Sequence, residues 1–485
     1  MTAPGIRIGE DPLTPETVVG CARATAVPVE LTPAAWARIA ETHRTADAVA
    51  ERRAVYGRTT GVGANRVIEA AEDRIGHALR LLRSHATGLG DALPEDVVRA
   101  TLLIRLAQMA AGGGGLRPEL AEALAAALRE GWLPELHDTG GIGTGDVTVL
   151  AQLGLALAGE DGGWHGPDAD GAPPCPGIGP GDALPLMSSN AATLAVATLA
   201  WGELRELLDA SLAVAALSFH AISGNAEAFA EPVGQGRPIP GLVAVSTTMR
   251  RLCVGGGVPA RLQDPFALRC LPPVAGALHD ALAALYRLLS VELNAATENP
   301  LFADGAVFHH GGFHAAPCAL ALDGVRLGLV PVGALAAARV TALLEPVLTG
   351  LPPFLAVGEP GSSGLLIAEY AAADALARLR ADASPTVLGA AFISRGNEEH
   401  ASFAWQGAWQ AQRAAGRLRR LIGLEWIAAE RALRMKHVLT PEVLAPARSL
   451  AAAFEDRRED RVIGPDVHRA EAALPQLVAA LRDVL

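Results

Sequence analysis

The chain has 485 residues, half of them apolar, and a formal net charge of −12. That length can bury a large core, in one big domain or in two to three small ones, and the acidic balance argues against nucleic acid as a partner. Aromatic residues make up only 4% while Ala and Leu dominate, which favours helices over sheets.

Residues 1–17 show no apolar core of the signal-peptide type. No run of 18 uncharged apolar residues stands out, so no membrane span is expected. The five cysteines, Cys21, Cys175, Cys253, Cys270 and Cys318, are scattered and odd in number. Free thiols in a cytoplasmic protein account for them most simply. Lys436 is the only lysine. Pyridoxal chemistry needs a lysine Schiff base, and Lys436 lies in no pocket motif, so that chemistry is not expected.

In chain order, residues 13–32 read as a small strand–turn–helix unit and 34–53 as an amphipathic helix. Tyr56-Gly-Arg-Thr-Thr-Gly-Val-Gly63 follows, which as a bare string is a glycine-rich surface turn. Ser84-His-Ala-Thr-Gly-Leu-Gly90 closes a helical segment, where a helix-end hydrogen bond explains His85 as well as a ligand contact does. Residues 97–111 read as a helix, ended by four glycines. At 140–150 three glycines alternate around Ile142 and Thr144, followed by Asp146 and an apolar run. Asp146 and Thr148 are candidate caps for the helix that this run predicts. The string is not a phosphate loop, because the Lys-Ser/Thr ending is missing. Residues 159–181, rich in Gly, Pro and Asp, read as a long loop.

From 191 onward the segments 191–222, 274–296, 325–349, 365–381 and 400–434 all read as helices, several of more than 20 residues. No repeat of 33–45 residues is visible. The expected fold is mainly α: a long up-and-down helical bundle over 191–485, with a small mixed region over 1–190 that holds the active-site loops. Several helices are apolar on more than one face, as expected if partner subunits bury them. His309, His310 and His314 lie close in sequence, but their spacing is poor support for a metal and none is expected.

Seven separated strings, in order, resemble the histidine and aromatic amino-acid ammonia-lyase family. Gly143-Thr144-Gly145-Asp146 looks like the family's Ala-Ser-Gly-Asp. There the tripeptide cyclises and dehydrates into an electrophile, methylidene-imidazolone (MIO). The 56–63 loop resembles Tyr-Gly-x-Asn-Thr-Gly-x-Gly, which implies Tyr56 as the base for the substrate's β-proton. A tyrosine near its usual pKa of about 10 needs a tuned setting for that task. The 84–90 string resembles Ser-His-x-x-Gly-x-Gly, which implies His85 beside a polar or hydroxylated substrate ring. Gln263-Asp-Pro-Phe-Ala-Leu-Arg-Cys270 resembles Gln-Asp-x-Tyr-x-x-Arg-Cys, which implies Gln263 in the pocket and Arg269 on the substrate carboxylate. A guanidinium fork suits that role. Glu298-Asn-Pro300 matches an acidic-Asn-Pro turn. Gly311-Gly-Phe-His314 resembles Gly-Asn-Phe-His, with Phe313 against the substrate. Asn397-Glu-Glu-His400 resembles Gln-Glu-Asp-His, with Glu398 as an assisting acid; without the resemblance, Glu398 and Glu399 are solvated or helix-capping acids. The resemblance implies a homotetramer whose sites are built by more than one chain.

The departures cluster at one place. Thr144 stands for serine, Gly143 for alanine, Phe266 for tyrosine, and Ser188 for an asparagine that helps hold the amino group. Asn190 lies two residues later. A threonine-derived electrophile would carry an extra methyl that crowds the attacked carbon. The expectation is therefore an enzyme that eliminates or adds across a carbon–nitrogen bond of an amino acid or related carboxylate, without the standard MIO group and with no external cofactor. Two alternatives stay open: a histidine- or tyrosine-type ammonia-lyase with a threonine-derived electrophile, and a silent binding protein on the same fold.

Overall fold

The structure is a computed structural model and describes residues 5–160, 163–166, 173–255, 257–438, 440–457 and 459–485. Residues 1–4, and residues 161–162 and 167–172 of the 159–181 loop, lie outside the described residues. Helix makes up 60% of the chain and strands are few. Among the described residues the strands form three two-stranded sheets: Ile6–Ile8 with Val29–Leu31, Leu133–Pro134 with Trp164–His165, and Leu301–Ala303 with Ala306–Phe308. The mainly helical class read from the sequence holds.

Two compact units form. The first takes residues 1–202, 285–322 and 385–409; the second takes 203–284, 323–384 and 410–485. A cut at residue 190 does not separate them, because the two later stretches return to the first unit.

In the first unit, local signals start the helices. Thr14 and Thr32 each accept an amide hydrogen three residues on, and Pro15 and Pro33 occupy the first helical position of Pro15–Ala22 and Pro33–Ala50. Left-handed glycines, Gly131 and Gly159, end Pro118–Glu130 and Val147–Ala158. Helix Glu95–Ala111 is buried on every face from Val97 to Ala110. Its polar side chains must therefore find partners inside. Arg105 donates to Glu298 (2.8 Å), to the Pro185 carbonyl (2.7 Å) and to the Leu186 carbonyl (3.3 Å). Gln108 accepts from Ser189 Oγ at 2.6 Å. A buried helix thus fixes the segment 185–189 and the 298–300 turn.

In the second unit, helices pack around another buried charge pair. Arg339 grips Glu425 with two bonds of 2.7 and 2.8 Å, and Ser218 Oγ donates to the same carboxylate at 2.6 Å.

Among the described residues, three helical stretches are long and apolar enough to cross a membrane by length and composition: Ala183–Ala221, Phe266–Glu292 and Ala316–Leu344. The most apolar window of the first is 94% buried within the fold; those of the other two are 33% and 50% buried. Polar or charged residues interrupt each of them, such as Ser188 in the first and Asp323 and Arg326 in the third, so none is a run of 18 uncharged apolar residues.

Candidate active site

The loop 140–146 is gripped from several sides, all within the first unit. Gly143 has φ of +76° and Gly145 +94°, a region that glycine enters without a Cβ clash. A methyl on Gly143 would lie 2.1 Å from Ser402 Oγ and 2.7 Å from the Ala404 nitrogen. The Gly143 carbonyl accepts from Ser402 Oγ (2.6 Å) and from the Ala315 amide (3.2 Å). The Gly145 amide donates to Asn190 Oδ1 (3.1 Å), and Asn190 Nδ2 donates to the Phe313 carbonyl (2.7 Å). Phe403 N–H reaches the Ile142 carbonyl (2.8 Å), Gln406 Nε2 the Gly141 carbonyl (2.7 Å) and Trp405 Nε1 the Asp138 carbonyl (2.8 Å). Thr144 sits half-buried at the crest.

Asp146 does not cap its own helix. Its carboxylate takes the Thr193 amide (2.7 Å) and hydroxyl (2.6 Å), tying the loop to the first turn of Ala191–Ala221. Burial pushes its pKa up to about 6, against the lowering effect of the Thr193 bonds. Thr148 lies inside the helix, and its buried hydroxyl finds no partner.

Ser188, which stands where the resembled family has asparagine, faces away from the loop's amides. Its Oγ accepts from the Asn299 amide at 3.1 Å. Asn190, two residues on, makes the contact to the loop instead.

These contacts test whether the residues fit an imidazolone ring at 143–145. Ring closure removes the hydrogen from the Gly145 nitrogen and expels the Gly143 oxygen as water. Both groups are already bonded in the buried intact peptide. Asn190 and Ser402 are 3% and 2% exposed, and Ala315 is buried as well. Closing the ring would leave Asn190 Oδ1, Ser402 Oγ and the Ala315 amide without those partners, at about 1–3 kcal/mol for each buried orphan. The intact peptide satisfies all of these groups, and ring closure would break three of its hydrogen bonds.

Tyr56 and Glu398 come together around Gly63. Tyr56 Oη accepts from the Gly63 amide at 2.7 Å, and Ser394 Oγ accepts from Ala64 N–H at 2.8 Å. Glu398 Oε1 lies 3.1 Å from where a Cβ of Gly63 would stand. Burial raises the Tyr56 pKa; the Gly63 bond lowers it, the Glu398 charge raises it and the Arg66 charge lowers it, with a net shift upward. The tuned setting expected for a basic tyrosine is thus absent among these groups. Glu398 and Glu399 do not cap a helix: the next one, Ala404–Lys436, starts five residues later than Glu399, and Glu398 instead bridges back to Ile393.

His85 ends helix Arg74–His85, with Nδ1 bonded to the Leu81 carbonyl (2.8 Å) and close to Ser84 Oγ (3.1 Å). The helix-end reading is therefore satisfied. Its neighbours Arg83, Thr87 and Gly88, with Glu135, His137 and Gln152, wall a cavity of about 390 Å³ that none of the predicted site residues lines. Phe313 is half-buried, held through its carbonyl. Gln263, Phe266 and Arg269 belong to the second unit. Gln263 and Phe266 are exposed there; the Arg269 guanidinium stacks 4.4 Å from the Phe266 ring centroid, and its buried Nε has no partner. Of the clustered histidines, His309 Nε2 accepts from the Tyr56 amide (3.3 Å), His310 bonds the Glu298 carbonyl (2.9 Å) and His314 pairs with His400 (3.0 Å).

The segment 402–406 carried no sequence signal, since Ser-Phe-Ala-Trp-Gln resembles any helix start. Only the fold brings it under the glycine loop.

The chain is similar to known proteins along nearly its whole length. A family model described as aromatic amino acid lyase matches residues 13–459. The histidine ammonia-lyase of Streptomyces coelicolor is 34% identical over 507 residues, spanning 98% of both chains. That of Symbiobacterium thermophilum is 34% identical over 489 residues, spanning 96% of this chain and 95% of the relative. The solved structure of a tyrosine aminomutase from Streptomyces globisporus superposes with a TM-score of 0.92 at 25% identity, covering 99% of each chain. The chain is a member of the aromatic amino-acid lyase family, an enzyme of the carbon–nitrogen lyase type.

Proposed function

We propose that the protein eliminates ammonia from, or adds an amine to, an amino acid or a closely related carboxylate, with 143–145 as an intact peptide in place of the standard MIO group. The observation that carries this is the set of three hydrogen bonds on the Gly143 carbonyl and the Gly145 amide, which ring closure would break. Thr144 and the glycine backbone then act as plain hydrogen-bonding groups toward substrate. Arg269 takes the carboxylate. Tyr56 and Glu398 take part in proton transfer, and His85, Ser188, Gln263, Phe266 and Phe313 are the further substrate contacts that the family resemblance implies. L-Histidine heads the substrate panel, because the relatives at 34% identity are named for it; L-tyrosine follows.

Intact mass tests the loop. The expected mass is that of the unmodified chain, and a peptide map with 143–145 lighter by two waters would overturn the proposal. The alternative reading is a histidine- or tyrosine-type ammonia-lyase with a threonine-derived electrophile, which the names of the 34% identical relatives favour. The same mass measurement separates the two.

We also place the enzyme in a homotetramer in the cytoplasm. Helices Leu271–Glu292 and Ala316–Leu344 leave Val291, Leu320 and Leu327 exposed in the single chain, which supports burial by partner copies. All five cysteines are free thiols, as suits a reducing compartment.

A further inference from the structure

The segment 311–315 meets the glycine loop at two points. The Phe313 carbonyl accepts from Asn190 Nδ2 (2.7 Å), and the Ala315 amide donates to the Gly143 carbonyl (3.2 Å). The residue that holds this segment from behind is His310, half-buried between it and the 298–300 turn. The His310 amide donates to Asn299 Oδ1 (2.9 Å). Its ring has a partner on each nitrogen: Nε2 lies 2.9 Å from the Glu298 carbonyl oxygen, and Nδ1 lies 2.8 Å from the Gly312 amide nitrogen. A carbonyl only accepts and an amide N–H only donates, so Nε2 carries the hydrogen and Nδ1 the lone pair. The two partners thus select one neutral tautomer and one ring orientation.

The far side of this bridge is fixed. Glu298 is 1% exposed and its carboxylate is held by Arg105 at 2.8 Å, while the Asn299 amide donates to Ser188 Oγ at 3.1 Å.

Gly312 stands where the resembled string has asparagine, and the His310 ring occupies the space that a side chain there would need. A Cβ at 312 would lie 2.7 Å from His310 Nδ1 and 3.0 Å from its Cε1, and beyond the chain neighbours no other described atom comes within 4 Å. The φ of Gly312 is not among the positive values, so its backbone would accept a side chain. The ring alone excludes one.

We infer that His310 is a positioning residue of this site, matched to Gly312: its ring takes the place of a side chain at 312 and sets the 311–315 segment against the glycine loop. This role presupposes the proposed carbon–nitrogen chemistry at that loop, and the family resemblance does not imply it. Loss of the ring removes two of the three bonds that His310 makes. A side chain added at 312 displaces the ring and removes the same two. In either case the segment shifts and carries its contacts to Asn190 and Gly143 with it, and a misplacement of about 1 Å near reacting groups costs on the order of 100-fold in rate.

The test uses the full-length protein, with ammonia release from L-histidine and hydrogen exchange at the Gly145 and Ala315 amides as readouts. His310→Ala and Gly312→Asn, made singly, are each expected to lower kcat by about tenfold or more, with KM changed by no more than about twofold, and to speed exchange at both amides. Combining Gly312→Asn with His310→Gly gives the new side chain the vacated space, where its amide group can donate to the Glu298 carbonyl. The double variant is expected to recover kcat to within about threefold of wild type and to slow exchange again, a non-additivity that separate losses of stability would not produce. Wild-type kcat and exchange in either single variant, or a double variant no better than Gly312→Asn alone, would overturn the inference and leave the proposed function standing. No ammonia from wild-type protein with L-histidine or L-tyrosine would overturn the proposed function instead, and exchange at the two amides would then decide whether His310 and Gly312 set the segment.

Discussion

Asn190→Ala isolates the side-chain contact to the glycine loop. Asn190 is 3% exposed and bonds two backbone groups: it accepts from the Gly145 amide and donates to the Phe313 carbonyl. Alanine removes both partners and puts nothing in their place. The Gly145 amide is buried, so its loss costs about 1–3 kcal/mol as an unsatisfied donor. Phe313 is only half-buried, and its carbonyl can recruit water, so that loss is nearer 0.5–1.5 kcal/mol, roughly the net worth of one hydrogen bond. Together these predict about 2–4 kcal/mol of destabilisation. Urea unfolding at a fixed protein concentration reads it as a lower midpoint with an unchanged slope. Hydrogen exchange adds a local readout: the Gly145 amide should exchange faster than its neighbours in the variant. Asn190→Asp keeps an acceptor for Gly145 but cannot donate to Phe313, and it buries a charge, so it should be no more stable than the alanine variant. A loss below about 1 kcal/mol in Asn190→Ala, with unchanged exchange at Gly145, would refute the reasoning that Asn190 holds the loop.

Four further outcomes are expected. Asp146 has a folded pKa near 6 against about 3.9 unfolded, so the folded state binds its proton more tightly. That contribution is fully present below about pH 4 and is lost as pH rises through 6, a change of about 3 kcal/mol; the stability difference between wild type and Asp146→Asn should therefore vary with pH between 4 and 7, and a constant difference would remove Asp146 as its source. Arg105→Met leaves Glu298 charged, 1% exposed and unpaired, and should cost about 3–5 kcal/mol in chemical denaturation, with part recovered in the Arg105→Met, Glu298→Gln double variant. Arg269→Ala should weaken binding of a carboxylate substrate by about 2–5 kcal/mol, with Arg269→Lys recovering only part because the fork is lost; equal affinities in all three proteins would take Arg269 out of the site. Light scattering in dilute buffer should give the mass of four chains, and a stable monomer would contradict the burial argued for Ala316–Leu344.

Much was legible in the chain itself. Helices 191–222 and 274–296 were read from apolar runs that the structure shows as Ala191–Ala221 and Leu271–Glu292. Long runs of Ala and Leu have one low-energy backbone, so local preference and burial agree there. The glycines at 143 and 145 likewise signalled a loop that only glycine tolerates, and both have positive φ. The family followed from short strings in a fixed order, and the match over residues 13–459 bears it out.

What the strings left open was which side chain touches which backbone atom. Asp146 looked like a cap for the helix it precedes, yet it bonds Thr193, 47 residues away. Asn190 and Ser188 were alike in sequence as candidates to hold the loop, and only the turn between two helices decided that Asn190 faces Gly145 while Ser188 faces Asn299. Ser402, 259 residues from Gly143, carried no signal at all. The physical reason is common to all three. Hydrogen bonds between distant segments depend on directions set to within a fraction of an ångström by the packing of whole helices, and a one-residue step along a turn reverses them. Helix, loop and family are properties of local pattern; the satisfied peptide at 143–145 and the His314–His400 pair exist only once the chain has folded back on itself.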